Sequence, residues 1–66
     1  MEIKNKYLTE KQVAEITGIS LSTLRNERSL GQGIPYVKLG RSVRYNLYDV
    51  IDYMESRKIV THDDRF

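Results

Sequence analysis

Residues 9–30, TEKQVAEITGISLSTLRNERSL, decide how this chain folds, because they read as two short helices with almost no chain between them. Thr9 is a good N-cap residue, and Gln12 stands three positions on, where a capping-box side chain reaches back to the amide of the cap. Leu8 before the cap and Val13 after it have the spacing of a hydrophobic staple. This predicts a first helix over Glu10 to Thr17 that stops at Gly18, since glycine takes the left-handed C′ conformation without steric cost. Ser20 then caps a second helix beginning at Leu21, and Ile19 with Leu24 repeats the staple. The pattern is helix, turn, helix.

The spacing also assigns faces. Ala14 is small where two crossing helices come closest, Val13 and Ile16 point one way from the first helix, and Ile19 plugs the turn. With Leu24 turned inward, Ser22, Arg25, Asn26 and Ser29 turn outward and make a short, polar, basic face. One helix fits the major groove of a duplex, where Arg and Asn can make bidentate contacts to guanine and adenine edges. A solvated helical hairpin would show the same two helices, so this stretch alone leaves both readings open. Lys11 or Gln12, near the first helix's free amides, could meet a phosphate, although solvation is commoner for an exposed lysine.

Beyond the second helix, Gly31-Gln32-Gly33-Ile34-Pro35 reads as a flexible turn closed by a residue that can neither donate to a ladder nor continue a helix. Tyr36-Val37-Lys38-Leu39 and Ser42-Val43-Arg44-Tyr45 each alternate apolar with polar residues about Gly40-Arg41, which predicts a two-stranded hairpin with a two-residue turn. If Val37, Leu39, Val43 and Tyr45 lie inward, then Lys38, Ser42 and Arg44 face out and Arg41 sits at the tip. These cations and Arg25 and Arg28 suggest one surface that tracks phosphates, a reading compatible with the charges that protect many solvated sheet edges. Asn46 then caps a third helix, with Asp49 at its capping-box position and Tyr45 and Val50 as a staple. Leu47, Val50, Ile51 and Met54 form one helical stripe, expected to lie across the first two helices, while Asp52 and Glu55 face away from any phosphate. Tyr53 is read as packing on the edge of the core rather than stacking on a base.

Composition bounds the function. Sixty-six residues make one domain, read as an ordered core of about 7–57 with flexible termini, and leave no room for a two-lobed enzyme cleft. There is no cysteine, so neither a disulfide framework nor a thiolate metal site holds the fold. His62, beside Asp63 and Asp64, is the only histidine, and it resembles a metal or catalytic cluster only superficially. No catalytic residue, metal or cofactor is expected, and the chain is not read as an enzyme. No apolar run is long enough to span a membrane and no signal segment is evident, so a cytoplasmic protein is expected. Met1 to Lys6 read as frayed, and Phe66 as disordered or an assembly contact. The net charge of +2 is uneven: residues 1–24 hold three acids and three bases, 25–44 one acid and five bases, and 45–66 five acids and three bases. The positive charge is concentrated between the second helix and the hairpin.

Taken together, YLTEKQVAEITGISLSTLRN from Tyr7, GIPYVKLGRSVRY from Gly33, and the Asp49-Val50 and Tyr53-Met54 pairs resemble the excisionase and AlpA-like winged helix-turn-helix family, related to the DNA-binding part of MerR proteins. The resemblance spans about Tyr7 to Arg57 and rests on L-T-x-x-x-V-A, G-I-S-x-S-T-L and K-x-G-R-S-V-R-Y. It implies an α+β, mainly helical fold: a helix-turn-helix, a two-stranded β-hairpin wing and a C-terminal helix. It implies that Ser22, Thr23, Arg25, Asn26 and Arg28 of the second helix serve the major groove. Lys38, Arg41, Ser42 and Arg44 of the wing would serve the adjacent minor groove or its phosphates. Glu27 departs from the pattern, since relatives often carry an aromatic there; a cation nearby is a possible partner for it. Such proteins either direct a site-specific recombinase toward excision or regulate transcription, often in a prophage or mobile element. No long MerR-type dimerisation helix follows, so a monomer that assembles cooperatively on double-stranded DNA is expected. The alternative is an adaptor that uses the winged fold to recruit a recombinase or another DNA-acting partner.

Overall fold

A computed structural model describes residues 7–60. The readings of Met1 to Lys6, of His62 with Asp63 and Asp64, and of Phe66 fall outside those residues. The elements run β1 (Tyr7–Leu8), α1 (Glu10–Thr17), α2 (Leu21–Ser29), β2 (Val37–Leu39), β3 (Ser42–Asn46) and α3 (Leu47–Ser56). This is a small winged helix-turn-helix of three helices and an antiparallel sheet in the order β1-β3-β2. The hairpin thus gains a third strand, because Tyr7 and Leu8 pair with Asn46 and Tyr45 on the free edge of β3.

Local chemistry sets the helix ends. Thr9 Oγ1 accepts from the Gln12 amide at 3.1 Å while Gln12 Oε1 accepts from the Thr9 amide at 2.9 Å, a complete capping box. Gly18 ends α1 at φ 80°, and its amide returns to the Ala14 carbonyl at 2.8 Å. Thr17 adds a strut: its hydroxyl donates to the Val13 carbonyl at 2.8 Å and accepts from the Ile19 amide at 3.1 Å. Ser20 caps α2 through the Thr23 amide at 3.1 Å. At α3 the cap is simpler than a box, with Asn46 Oδ1 accepting from the Tyr48 amide at 2.8 Å. Asn46 is also the last residue of β3, paired with Tyr7, and α3 starts with no connecting residue.

Val13, Leu24, Ile34, Tyr45 and Val50 form the buried core, with Leu8, Ala14, Ile19, Leu21, Val43 and Tyr53 packed around it. Each of the staple pairs therefore meets in this core. Ile34 was hidden in what reads as a flexible turn, yet it is 3% exposed. The turn is anchored at its start by the Gly31 and Gln32 amides, which donate to the carbonyls of Arg28 and Glu27 at 3.0 and 2.9 Å. Glu27 itself lies against Gly33, close enough that a Cβ there would sit 2.6 Å from its Oε1. No ion pair involves Glu27 among the described residues.

Side-chain faces on three elements are corrected. Val37 and Leu39 are not core: they are 39% and 62% exposed. The two-residue turn pairs Leu39 with Ser42, Lys38 with Val43 and Val37 with Arg44. Directly paired residues share a face, so Val37 and Leu39 lie on the side of Ser42 and Arg44, and Lys38 joins Val43 and Tyr45. On α3, Ile51 and Met54 are 44% and 43% exposed, whereas Val50 is buried and Tyr53 half-buried. Because α3 grows directly from β3, it packs chiefly on that strand rather than across both earlier helices, and its inner row is Leu47, Val50, Tyr53. Ile16 is 50% exposed, leaving Val13 as the buried anchor of α1.

Candidate nucleic-acid interface

The second helix presents a graded surface. At its start the Ser20 hydroxyl, which caps the helix, also donates to Thr23 Oγ1 at 2.9 Å and lies 3.2 Å from Ser22 Oγ. Three hydroxyls therefore gather at a positive helix end on the outside of the molecule, all exposed. Asn26, one turn on from Ser22 and Thr23, is exposed on the same helix. Arg25 is 57% exposed but not free: its Nε and Nη2 donate to Glu10 Oε1 and Oε2 at 3.3 and 2.6 Å.

Arg28 is placed differently. Only 17% exposed, it donates from Nη1 to the Tyr45 hydroxyl at 2.7 Å, pairs through Nη2 with Glu10 Oε1 at 3.2 Å, and has its guanidinium carbon 5.7 Å from the Tyr36 ring centre. Tyr36 in turn leans on Tyr45, with ring centres 6.2 Å apart. Arg28 therefore forms the floor of the surface, held between the helix pair and the sheet, while Arg25 stands at its rim.

The wing supplies the opposite wall. Because Lys38 shares a face with Val43 and Tyr45, it points across toward α2, and a cleft of about 480 Å³ is lined by Arg25, Arg28, Ser29, Tyr36, Lys38, Gly40, Arg41 and Val43. A second cleft of about 310 Å³ lies on the α1 side, lined by Thr9, Glu10, Lys11, Arg28, Arg41, Ser42, Val43 and Arg44. Arg41, at the turn of the wing, borders both clefts. Gly40 makes that turn possible with φ 62° at its first position, the geometry a two-residue hairpin with glycine leading favours. Arg44 donates from Nη1 to the Val43 carbonyl at 2.8 Å and is half-buried.

The site residues read from the sequence thus fall into three groups. Ser22, Thr23 and Asn26 line the outer side of α2; Arg25, Arg28, Lys38 and Arg41 meet in the larger cleft; Ser42 and Arg44 border the smaller one with Lys11. Sequence reading missed Glu10 and Tyr36 as parts of this surface, and the hydroxyl of the buried Tyr45 as the support of Arg28. Tyr36 and Tyr45 flank the hairpin where aromatics ordinarily mean core, and no local signal marks Glu10, whose two partners lie on another helix. The Arg25 guanidinium beside Glu10 holds its carboxyl below the ordinary carboxylate value; burial opposes this, and Arg28 adds to the lowering.

Chemically the surface offers guanidinium, ammonium, hydroxyl and amide donors, with Glu10 as the acid within it. That suits an anionic, hydrogen-bond-accepting polymer. Among the described residues no group of His, Cys, Asp or Glu is placed to hold a metal, and no helix is long and apolar enough to cross a membrane. A family model described as a helix-turn-helix domain matches residues 7–58. No curated protein and no solved structure matches the chain.

Proposed function

Since this chain belongs to the helix-turn-helix domain family, we propose that it is a sequence-selective double-stranded DNA-binding protein in which α2 enters the major groove and the β2–β3 wing follows the neighbouring phosphates. The observation that carries this reading is the cleft that brings Arg25 and Arg28 of α2 to Lys38 and Arg41 of the wing. Residues separated along the chain converge as one cationic surface, while Asp52 and Glu55 remain on α3. In this reading Ser22, Thr23, Arg25 and Asn26 meet base edges or groove-wall phosphates. Lys38, Arg41, Ser42 and Arg44 meet backbone, and Arg28 contributes charge from below.

The biological task follows from the resemblance to excisionase and AlpA-like proteins. The chain acts in the cytoplasm on a prophage or mobile element, either bending attachment-site DNA to direct a recombinase toward excision or regulating a promoter. One module of this kind buries about 600–1,000 Å² of protein surface, which favours several copies bound cooperatively from a monomeric solution state. The decisive experiment is a gel-shift and footprint on DNA flanking the protein's own gene, at low and physiological salt. Regularly spaced protected sites in an attachment region support the excision role, and protection confined to a promoter supports the regulator. No retardation of any duplex at low salt overturns DNA binding.

A second reading has its own observation. Ile51 and Met54 are exposed on α3, the helix that also carries Asp52 and Glu55, which is a composition suited to a protein partner. An adaptor working through that face would capture its partner equally well at all salts and after Arg41→Ala, whereas DNA binding would weaken under both.

A further inference from the structure

Glu10 is the acid set among the cations of the candidate DNA surface. It belongs to α1, yet its carboxylate is occupied by two guanidiniums of α2. Arg25 engages it by a fork, Nη2 to Oε2 at 2.6 Å and Nε to Oε1 at 3.3 Å. Arg28 closes on Oε1 from the other side at 3.2 Å and is itself bonded to Tyr45, whose ring is 1% exposed. A continuous polar chain thus runs outward from the core: Tyr45, Arg28, Glu10, Arg25. Its inner end is buried in the core, and its outer end is an arginine 57% exposed to solvent.

The fork leaves a defined remainder. A guanidinium carries five N–H donors, and the edge formed by Nε and Nη2 is consumed by Glu10. Nη1 and the outer hydrogen of Nη2 remain, which is a donor pair of the kind that guanine O6 and N7 accept. An unpaired arginine at this position would sample many rotamers and lose that freedom on binding. Glu10 removes much of this loss beforehand. Its negative charge also lies beside the path of the phosphates and opposes binding that lacks the base contact.

We propose that Glu10 is a positioning residue for base recognition, which orients the free edge of Arg25 toward one base pair and at the same time weakens binding to non-cognate DNA. The inference rests on the reading that α2 binds in the major groove. It separates two quantities that ordinarily move together: Glu10 raises discrimination and lowers non-specific affinity.

The test begins by recovering a preferred duplex from a random pool with the wild-type protein. Dissociation constants are then measured on that duplex, on versions with each base pair changed in turn, and on random-sequence duplex, for wild type, Glu10→Gln, Glu10→Asp, Arg25→Ala and Glu10→Gln with Arg25→Ala. Arg25→Ala is expected to lose roughly tenfold of discrimination at one base pair. Glu10→Gln is expected to lose most of that discrimination at the same base pair while binding random duplex roughly two- to fivefold more tightly at low salt. The double variant should be no worse at that position than Arg25→Ala alone. Glu10→Asp keeps the charge but not the reach, so it loses discrimination without gaining non-specific affinity, and it serves if Glu10→Gln folds poorly. Unchanged discrimination in both Glu10 variants overturns the inference, as does a loss spread evenly over every base pair. If Arg25→Ala changes no base preference, Arg25 reads no base and the inference fails while DNA binding stands. If wild type binds no duplex at low salt, the functional reading itself fails.

Discussion

Arg28 Nη1 donates to the Tyr45 hydroxyl at 2.7 Å, so a side chain of α2 is tied to the strand from which the wing extends. Both groups are largely withdrawn from water, Tyr45 at 1% exposure and Arg28 at 17%. This contact joins α2 directly to β3. Tyr45→Phe keeps the ring in the core but leaves Arg28 short of an acceptor. It is expected to destabilise the fold by about 1–3 kcal/mol. A urea unfolding midpoint unchanged from wild type would show that water replaces the phenol without cost.

The buried face of α2 and the corrected face of the hairpin predict unequal responses to the same substitution. Leu24 is 2% exposed and Leu39 62%. Leu24→Ala should cost ~2–5 kcal/mol by removing buried methyl groups from a small core. Leu39→Ala should change stability by less than about 0.5 kcal/mol. Thermal denaturation of the two variants side by side checks this, and a large loss for Leu39→Ala would restore Leu39 to the interior.

Glu10 gives the fold a pH dependence of definite sign. Its folded carboxyl titrates below the ordinary value of 4.5 because Arg25, then Arg28, favour the ionised form more than burial disfavours it. A depressed folded value contributes stability that is present above the unfolded value and lost as pH falls through the folded one. Wild type should therefore exceed Glu10→Gln in denaturant midpoint at neutral pH, with the gap closing below pH 4.5. A gap that stays constant down to about pH 3 would mean the ion pairs contribute nothing.

The wing cations should act without regard to sequence. Lys38→Ala and Arg41→Ala are each expected to weaken binding about equally on preferred and random duplex, and to reduce the slope of log affinity against log salt by about one. Arg41, which borders both clefts, should show the larger loss. Salt titrations by fluorescence anisotropy decide it; a base-specific loss in Arg41→Ala would place the wing tip in a groove rather than along the backbone.

Much of the fold was legible because its signals are local. Thr9 with Gln12, Ala14 with Gly18 and Ser20 with Thr23 each meet within four residues, so the chain's own spacing specifies the bond. The hairpin was legible as an element but not as a pair of faces. Each strand alternates correctly by itself, and the two alternations suggested one apolar side. The two-residue turn pairs Leu39 with Ser42 and places the apolar residues of β2 opposite those of β3. Turn length governs register, and register outranked hydrophobicity here.

The sequence by itself determined the helix boundaries, the turn between them, the hairpin and the placement of positive charge, since caps, a left-handed glycine and strand alternation act between near neighbours. The tertiary structure alone decided that Ile34 enters the core, that α3 leaves Ile51 and Met54 exposed, and that Glu10 binds Arg25 and Arg28. Those outcomes depend on distances between elements far apart along the chain. Such distances are set by packing around Val13, Leu24, Tyr45 and Val50, and no pattern of adjacent residues encodes them.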